Sequence, residues 1–120
     1  MAYDEFLGDR IRQIIESMHV DFFEKKMMGG LIFMVNDKMF CGIHFSKKTN
    51  TNLLMARIGL EATAEALIMT GCHPMDFTGR PMKGFVFITP DGFDTDDNLE
   101  YWLKLCLAFN PEAKAAKKRI

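Results

Sequence analysis

The sequence lacks the features that would assign it at once to a membrane, secreted or nucleic-acid-binding class. Its 120 residues contain no apolar run near the ~20 residues that a membrane span needs. The first ten residues are polar and acidic, which is unlike a secretory signal. The formal net charge is -1, so no basic excess would attract nucleic acid or an anionic membrane. We therefore predict a cytoplasmic protein without membrane attachment, and we do not expect direct nucleic-acid binding.

Cysteine is scarce and shows no pairing pattern. Three cysteines, Cys41, Cys72 and Cys106, are typical of reduced thiols rather than a disulfide framework. Cys41 and His44 form C-x-x-H, and Cys72 precedes His73, a set that could in principle bind zinc. However, Cys41 and His44 lie three apart in a predicted strand, so their side chains should face opposite ways. We predict no metal site and no cofactor, and no orienting acid is apparent for a Cys–His nucleophile.

Hydrophobic periodicity predicts a helix first and strands afterwards. Apolar residues at positions 7, 11, 14, 15 and 18 form one stripe of a helix over residues 3–18. After the Gly29-Gly30 break, two apolar runs, 31–35 and 38–45, flank an Asn36-Asp37 pair. Both turn residues tolerate positive φ, so this pattern predicts a β-hairpin.

The second half repeats the change of period. We predict a strand over 53–58, a helix over 60–70 that ends at Gly71, an extended segment over 75–77 and a strand over 81–89. Asp94 or Thr95 should cap a last helix that runs to about residue 109. The order is helix, three strands, helix, two strands, helix. It predicts a two-layer α+β domain over residues 1–110, with an antiparallel five-stranded sheet, helices on one face and a basic tail at 111–120.

The segment MDFTGRPMKGFVFI, residues 75–88, combines glycines with basic residues, as phosphate-binding loops do. Gly79 and Gly84 have the separation of a Walker loop, but Phe85 replaces the required lysine and a strand follows instead of a helix. In a regular strand Arg80 and Lys83 would point to opposite faces, and they could converge only across a bulge. Gly84 could provide one. A shaped hairpin is the favoured interpretation, and an anion-binding loop remains the alternative.

Four motifs in this order carry a family resemblance: EKKMMGGLIFMVNDKMFCGI (24–43), ARIGLEA (56–62), HPMDFTGRPMKGFVFITPDGFD (73–94) and YWLKLCLAFNP (101–111). From about residue 4 to 111 the chain resembles the TfoX/Sxy N-terminal domain family. It departs from that family at Met28, where phenylalanine is usual, and in a longer polar loop over 46–52. The family-motif residues are Lys26, Gly29, Gly30, Asp76, Gly79, Pro81, Met82 and Gly84.

The resemblance implies a two-layer α+β fold with an antiparallel sheet. It also implies a link to the regulation of natural competence, in which full-length members act at promoters with the cyclic-AMP receptor protein. Those regulators carry a second, C-terminal domain, so we expect this chain to be a stand-alone N-terminal domain. The family provides no catalytic residues to transfer.

Two classes of function follow. The first is a small non-enzymatic regulatory or interaction domain, with a possible protein partner in transcription. The second is a small-molecule or phosphate-binding protein, which could be an enzyme, that uses Arg57, Arg80 and Lys83. In addition, residues 31–35 and 85–88 are apolar at every position. The sheet face away from the helices should therefore be apolar, which predicts a homodimer through that face. A foreign partner or the tail helix is the alternative cover.

Overall fold

A computed structural model of the chain describes residues 4–27, 30–47, 49–76 and 81–112. The predicted α+β class is confirmed: the strands form one antiparallel sheet in the order β1-β2-β3-β4-β6-β5. The helices are α1 (Glu5–Ser17), α2 (Leu60–Ala66) and α3 (Asp96–Phe109). The strands are β1 (Phe23–Met27), β2 (Gly30–Val35), β3 (Lys38–Ser46), β4 (Thr51–Arg57), β5 (Cys72–Asp76) and β6 (Pro81–Ile88). Among the described residues, no helix is long and apolar enough to cross a membrane.

The sheet has six strands instead of the predicted five. The additional strand is β1, which pairs only with β2 and forms an edge of the sheet. Its sequence, FEKKM, places three charged residues in succession, so it shows no alternation of apolar and polar side chains. Charged side chains are common on edge strands because they oppose pairing with another chain. The sequence of β1 therefore contains no hydrophobic periodicity that would predict a strand.

Local signals predicted the cap of the last helix and one turn correctly, whereas the first helix begins at Glu5 and not at the predicted residue 3, with a cap that was not predicted. The Asp4 carboxylate accepts a hydrogen bond from the Phe6 N–H at 2.9 Å, and the Thr95 hydroxyl accepts one from the Asn98 N–H at 3.1 Å. These are N-caps of α1 and α3. Asn36 and Asp37 have φ of 57° and 62°, which suits the two-residue turn between β2 and β3.

Helix α2 is shorter than the predicted 60–70. It ends at Ala66, and turns follow until Gly71, whose φ is +80°. The Gly71 carbonyl accepts a hydrogen bond from the Thr89 N–H at 2.8 Å, which ties this turn to the end of β6. The chain must leave the helix early to reach that position and enter β5.

The main core lies between the helices and one face of the sheet, as predicted. Leu7, Ile11 and Ile15 of α1 pack there with side chains of α3 and alternate strand residues. Trp102 of α3 is almost fully buried, and its indole N–H donates to the Gly92 carbonyl at 2.9 Å. A buried polar group with a partner avoids the cost of desolvation, so this bond fixes the ring in the core.

The opposite sheet face carries a second, smaller apolar cluster, which we call the open face. Its buried members are Ile32, Met34, Met55 and Phe87, all on strands and only 2–9% exposed. The apolar character predicted for this face is present. However, the four side chains are buried in a single chain, so they expose less apolar surface than the strand pattern suggests. The homodimer itself stays a prediction.

Candidate functional site

A cleft of about 490 Å³ lies where β4 ends, beside the start of α2 and the end of α3. We call it the Arg57 cleft. Most of its lining is apolar, and its charged lining residues are two cations, Arg57 and Lys83, and two carboxylates, Glu61 and Glu112. Its position follows from the fold, because three elements end or begin at this corner of the sheet.

Two glycines form one wall of the Arg57 cleft. The Gly84 carbonyl accepts hydrogen bonds from both the Ile58 N–H at 2.9 Å and the Gly59 N–H at 3.0 Å. The chain that leaves β4 is thus held at a single carbonyl of β6. The pairing of β6 with β5 is irregular at the same place, between Pro74 and Asp76, as at a β-bulge. Gly59 and Gly84 have φ of +88° and +82°, and a Cβ at Gly59 would lie 2.5 Å from the Phe109 ring. Only glycine allows this approach without strain.

The Arg57 guanidinium lies close to two aromatic rings. Its guanidinium carbon lies 5.3 Å from the centroid of the Phe85 ring and 5.9 Å from that of Phe109. Both distances are within the range of cation–π attraction. Partial burial lowers the pKa of the Arg57 guanidinium, since desolvation disfavours the charged form. An arginine stays protonated at neutral pH nevertheless, so Arg57 brings a half-buried positive charge to the cleft.

The structure describes two of the three basic residues that were predicted to form a binding site. Arg57 and Lys83 line the same cleft, across the bulge at Gly84. Arg80 lies outside the described residues. No local sequence pattern predicts Phe109 here, because its contact with Arg57 depends on how α3 packs on the sheet.

Of the family-motif residues that the structure describes, Gly30 and Gly84 have a visible role, and both act through the backbone. A Cβ at Gly30 would overlap the Ile43 carbonyl oxygen, so the close approach of β2 to β3 requires glycine at this position. Asp76 pairs with Pro81 in the ladder between β5 and β6, and Met82 follows in β6. Lys26 is exposed on β1. Gly29 and Gly79 lie outside the described residues.

The cysteines and histidines do not converge. Cys41 is buried in the main core, whereas the His44 ring stacks on Phe87 of the open face at 5.6 Å between centroids. The two side chains therefore diverge, as their spacing predicted. Among the described residues, no group of three or more His, Cys, Asp or Glu side chains could hold a metal ion. The absence of a bound metal remains a prediction.

The thiols are buried and held in the protonated form. Burial raises the pKa of Cys72 to about 11 and that of Cys106 to about 12, and it also raises the pKa of Cys41. Since a thiolate is the reactive form, these cysteines are poor nucleophiles at neutral pH.

A second surface feature was not predicted from the sequence. After α2, the chain exposes three successive apolar side chains, Leu67, Ile68 and Met69, and Ile68 is 85% exposed. Ile68, Met69 and half-exposed Tyr101 line a shallow cleft of about 270 Å³. We call Leu67, Ile68, Met69 and Tyr101 the Ile68 patch. The signal in the sequence was the run of three consecutive apolar residues, which was interpreted as part of a helix over 60–70.

Acidic residues border the Ile68 patch. Asp91 lines its cleft, and Asp97 lies one helical turn before Tyr101 on the same side of α3. Asp96 is paired with Arg10 at 3.2 Å. No salt bridge within the described part of the chain includes Asp91 or Asp97. The patch is therefore an apolar surface beside negative charge.

Comparison with known proteins agrees with the resemblance drawn from the motifs. The family model of the TfoX N-terminal domain matches residues 19–110. This range includes both the Arg57 cleft up to Phe109 and the whole Ile68 patch. No curated protein matches the chain.

Proposed function

The chain belongs to the family of the TfoX N-terminal domain, and on this premise we propose that it is a non-enzymatic interaction domain that binds a regulatory protein through the Ile68 patch. The exposure of Ile68 carries the proposal, because an isoleucine that is 85% exposed contributes nothing to the core. It stands between two further exposed apolar side chains. Contiguous apolar surface of this kind is typical of protein interaction sites.

The composition of the Ile68 patch supports a protein partner. Met69 is flexible and polarizable, so it can adapt to the shape of a partner. Tyr101 combines a large apolar ring with a polar hydroxyl, and tyrosine is enriched at interfaces for that reason. Both lie around one shallow cleft that an apolar anchor residue of the partner would enter.

The charge beside the patch favours one kind of partner. Asp91 and Asp97 would attract a segment that carries lysine or arginine next to its apolar anchor. We therefore propose a basic, apolar segment of another protein as the occupant. The resemblance to competence regulators makes a protein of transcription the first class to test.

The non-enzymatic part of the proposal is supported by the state of the thiols. Cys41, Cys72 and Cys106 are buried, and desolvation keeps them protonated at neutral pH. His44 is stacked on Phe87, and burial lowers its pKa. The three thiols belong to the main core, and the His44 ring packs on Phe87 of the open face.

The proposal is tested in two steps. Variants of this protein are used as baits to capture a partner from a cell extract, and the binding of the purified partner is then titrated at several salt concentrations. The bait proteins are the wild type, Ile68→Asp and Phe6→Asp, because Phe6 is a comparably exposed apolar residue on α1, at 71%. We expect one protein to be retained by the wild type and Phe6→Asp but not by Ile68→Asp. The purified partner should then bind the wild type more weakly as salt rises, because salt screens attraction to Asp91 and Asp97. Equal retention by all three baits would contradict the proposal.

A further inference from the structure

We propose that the Arg57 cleft is a binding site for a small organic anion, one that carries a single negative charge on a planar apolar body. This inference is independent of the Ile68 patch. It rests on the size of the cleft, on the way in which Arg57 is held and on the balance of charges in the lining.

The size and lining of the cleft suit a small ligand. Its volume of about 490 Å³ lies within the range of roughly 300–1,000 Å³ that is typical of ligand pockets. Leu60, Leu105 and Phe109 provide apolar surface, while Gly59 and Gly84 contribute wall without side chains. A flat apolar body could therefore lie against the backbone on one side and against rings and leucines on the other.

The positive charge of the cleft is held in place before any ligand arrives. The rings of Phe85 and Phe109 restrict the Arg57 guanidinium, so binding costs less side-chain entropy than it would with a free arginine. Partial burial also reduces the screening of its charge by water. Lys83 is exposed in the same lining and offers a second, more mobile cation.

The carboxylates limit how much negative charge a ligand can carry. Glu61 and Glu112 line the same cleft, so two cations face two anions and the lining has no formal net charge. A polyphosphate would be repelled by both glutamates, since like charges at short range are unfavourable. A monoanion can lie beside Arg57 and Lys83 while its uncharged body occupies the rest of the cleft.

A nuclear magnetic resonance titration with three probes tests this inference. The probes are 1-naphthoate, its uncharged analogue 1-naphthylmethanol and inorganic phosphate. We expect 1-naphthoate to shift the amide signals of Gly59, Gly84 and Phe109. The alcohol should bind at least several-fold more weakly because it lacks the charge, and phosphate should bind more weakly because it lacks the apolar body.

Two lysine variants test whether 1-naphthoate binds in the Arg57 cleft. Lys83→Glu should weaken 1-naphthoate binding about fivefold or more, since an attraction is replaced by a repulsion. Lys25→Glu, a matched change at an exposed lysine on β1, should leave it unchanged. Circular dichroism of both variants checks that the fold is intact.

Three outcomes would overturn the inference. They are equal affinity for 1-naphthoate and the alcohol, equal effects of Lys83→Glu and Lys25→Glu, and no shift at the cleft residues with any probe. None of these results bears on the Ile68 patch, whose test uses different variants and a protein partner.

Discussion

Asn110, which follows α3, donates a hydrogen bond from its side-chain amide to the Val35 carbonyl at 3.2 Å, across a separation of 75 residues. It also accepts one from the Asn36 amide at 2.8 Å, and the Lys38 ammonium donates to its main-chain carbonyl at 3.0 Å. Asn110 is only 3% exposed. These bonds fasten the end of α3, and with it the Phe109 side of the Arg57 cleft, to the turn between β2 and β3.

We predict that Asn110→Ala lowers the free energy of unfolding by about 1–3 kcal/mol, because it removes the side-chain bonds to Asn36 and to the carbonyl of buried Val35. Urea denaturation measures the change. Asn98→Ala is the matched control, since Asn98 is exposed on the same helix and should stay within about 0.5 kcal/mol of the wild type. Similar losses in the two variants would show that the bonds at Asn110 add little.

The sequence predicted those parts of the fold that depend on neighbouring residues. The cap at Thr95 and the Asn36-Asp37 turn depend on residues within three positions of the backbone that they stabilise. The end of the last helix was predicted near residue 109, but the contacts of Asn110 were not, because its partner Val35 is distant in the sequence. A local pattern contains no information on such a contact.

The same distinction applies to the candidate site. Arg57 and Lys83 could be chosen from the sequence as basic residues near the ends of predicted strands. The cleft that they share could not be predicted, because it depends on the bulge at Gly84 and on the position of Phe109. The Ile68 patch was missed because a helix over 60–70 was expected, whereas α2 ends at Ala66 and the following turn exposes its side chains.

We predict that Gly84→Val destabilises the protein by roughly 1 kcal/mol or more, because φ at Gly84 is +82° and valine is strained there. A Cβ would also lie 3.4 Å from Gly59 Cα, so the larger side chain would press on the bulge. Thermal or urea denaturation gives the difference. Lys83→Ala, at the neighbouring exposed residue, should cost little, and an equal loss in that variant would rule out a specific role for the bulge.

We predict that the stability falls between about pH 9 and pH 11, in part through Cys72. Burial raises the pKa of its thiol from an ordinary 9.0 to about 11. In this window the unfolded chain loses the Cys72 proton while the folded chain keeps it, so rising pH favours unfolding. Below pH 9 the contribution is fully present.

Urea midpoints at pH 8 and pH 10.5 test this prediction, with Cys72→Ala as the comparison. The wild type should lose more stability between the two pH values than the variant does, because lysines and tyrosines titrate in both proteins alike. An equal loss would show that the Cys72 thiol titrates in the same range whether the chain is folded or not.

The last prediction is a weak homodimer through the open face. Phe23 of edge strand β1 is 47% exposed and lies opposite Met34, so it extends the open face to the edge of the sheet. Met39, Leu53 and Phe85 are half-buried around the same cluster. A second copy could cover these side chains, but the buried members leave little further area to gain. We therefore expect a dimer that forms only as the protein concentration rises.

Light scattering across micromolar to millimolar concentrations tests the dimer. The mass should rise from 13.8 kDa towards twice that value. Phe23→Ser should shift this rise to higher concentration, because it removes the most exposed ring of the open face. Phe6→Ser should leave it unchanged, since Phe6 is exposed on α1, on the helix side of the sheet. A constant mass of 13.8 kDa would exclude the dimer, and an equal effect of the two variants would place the contact elsewhere.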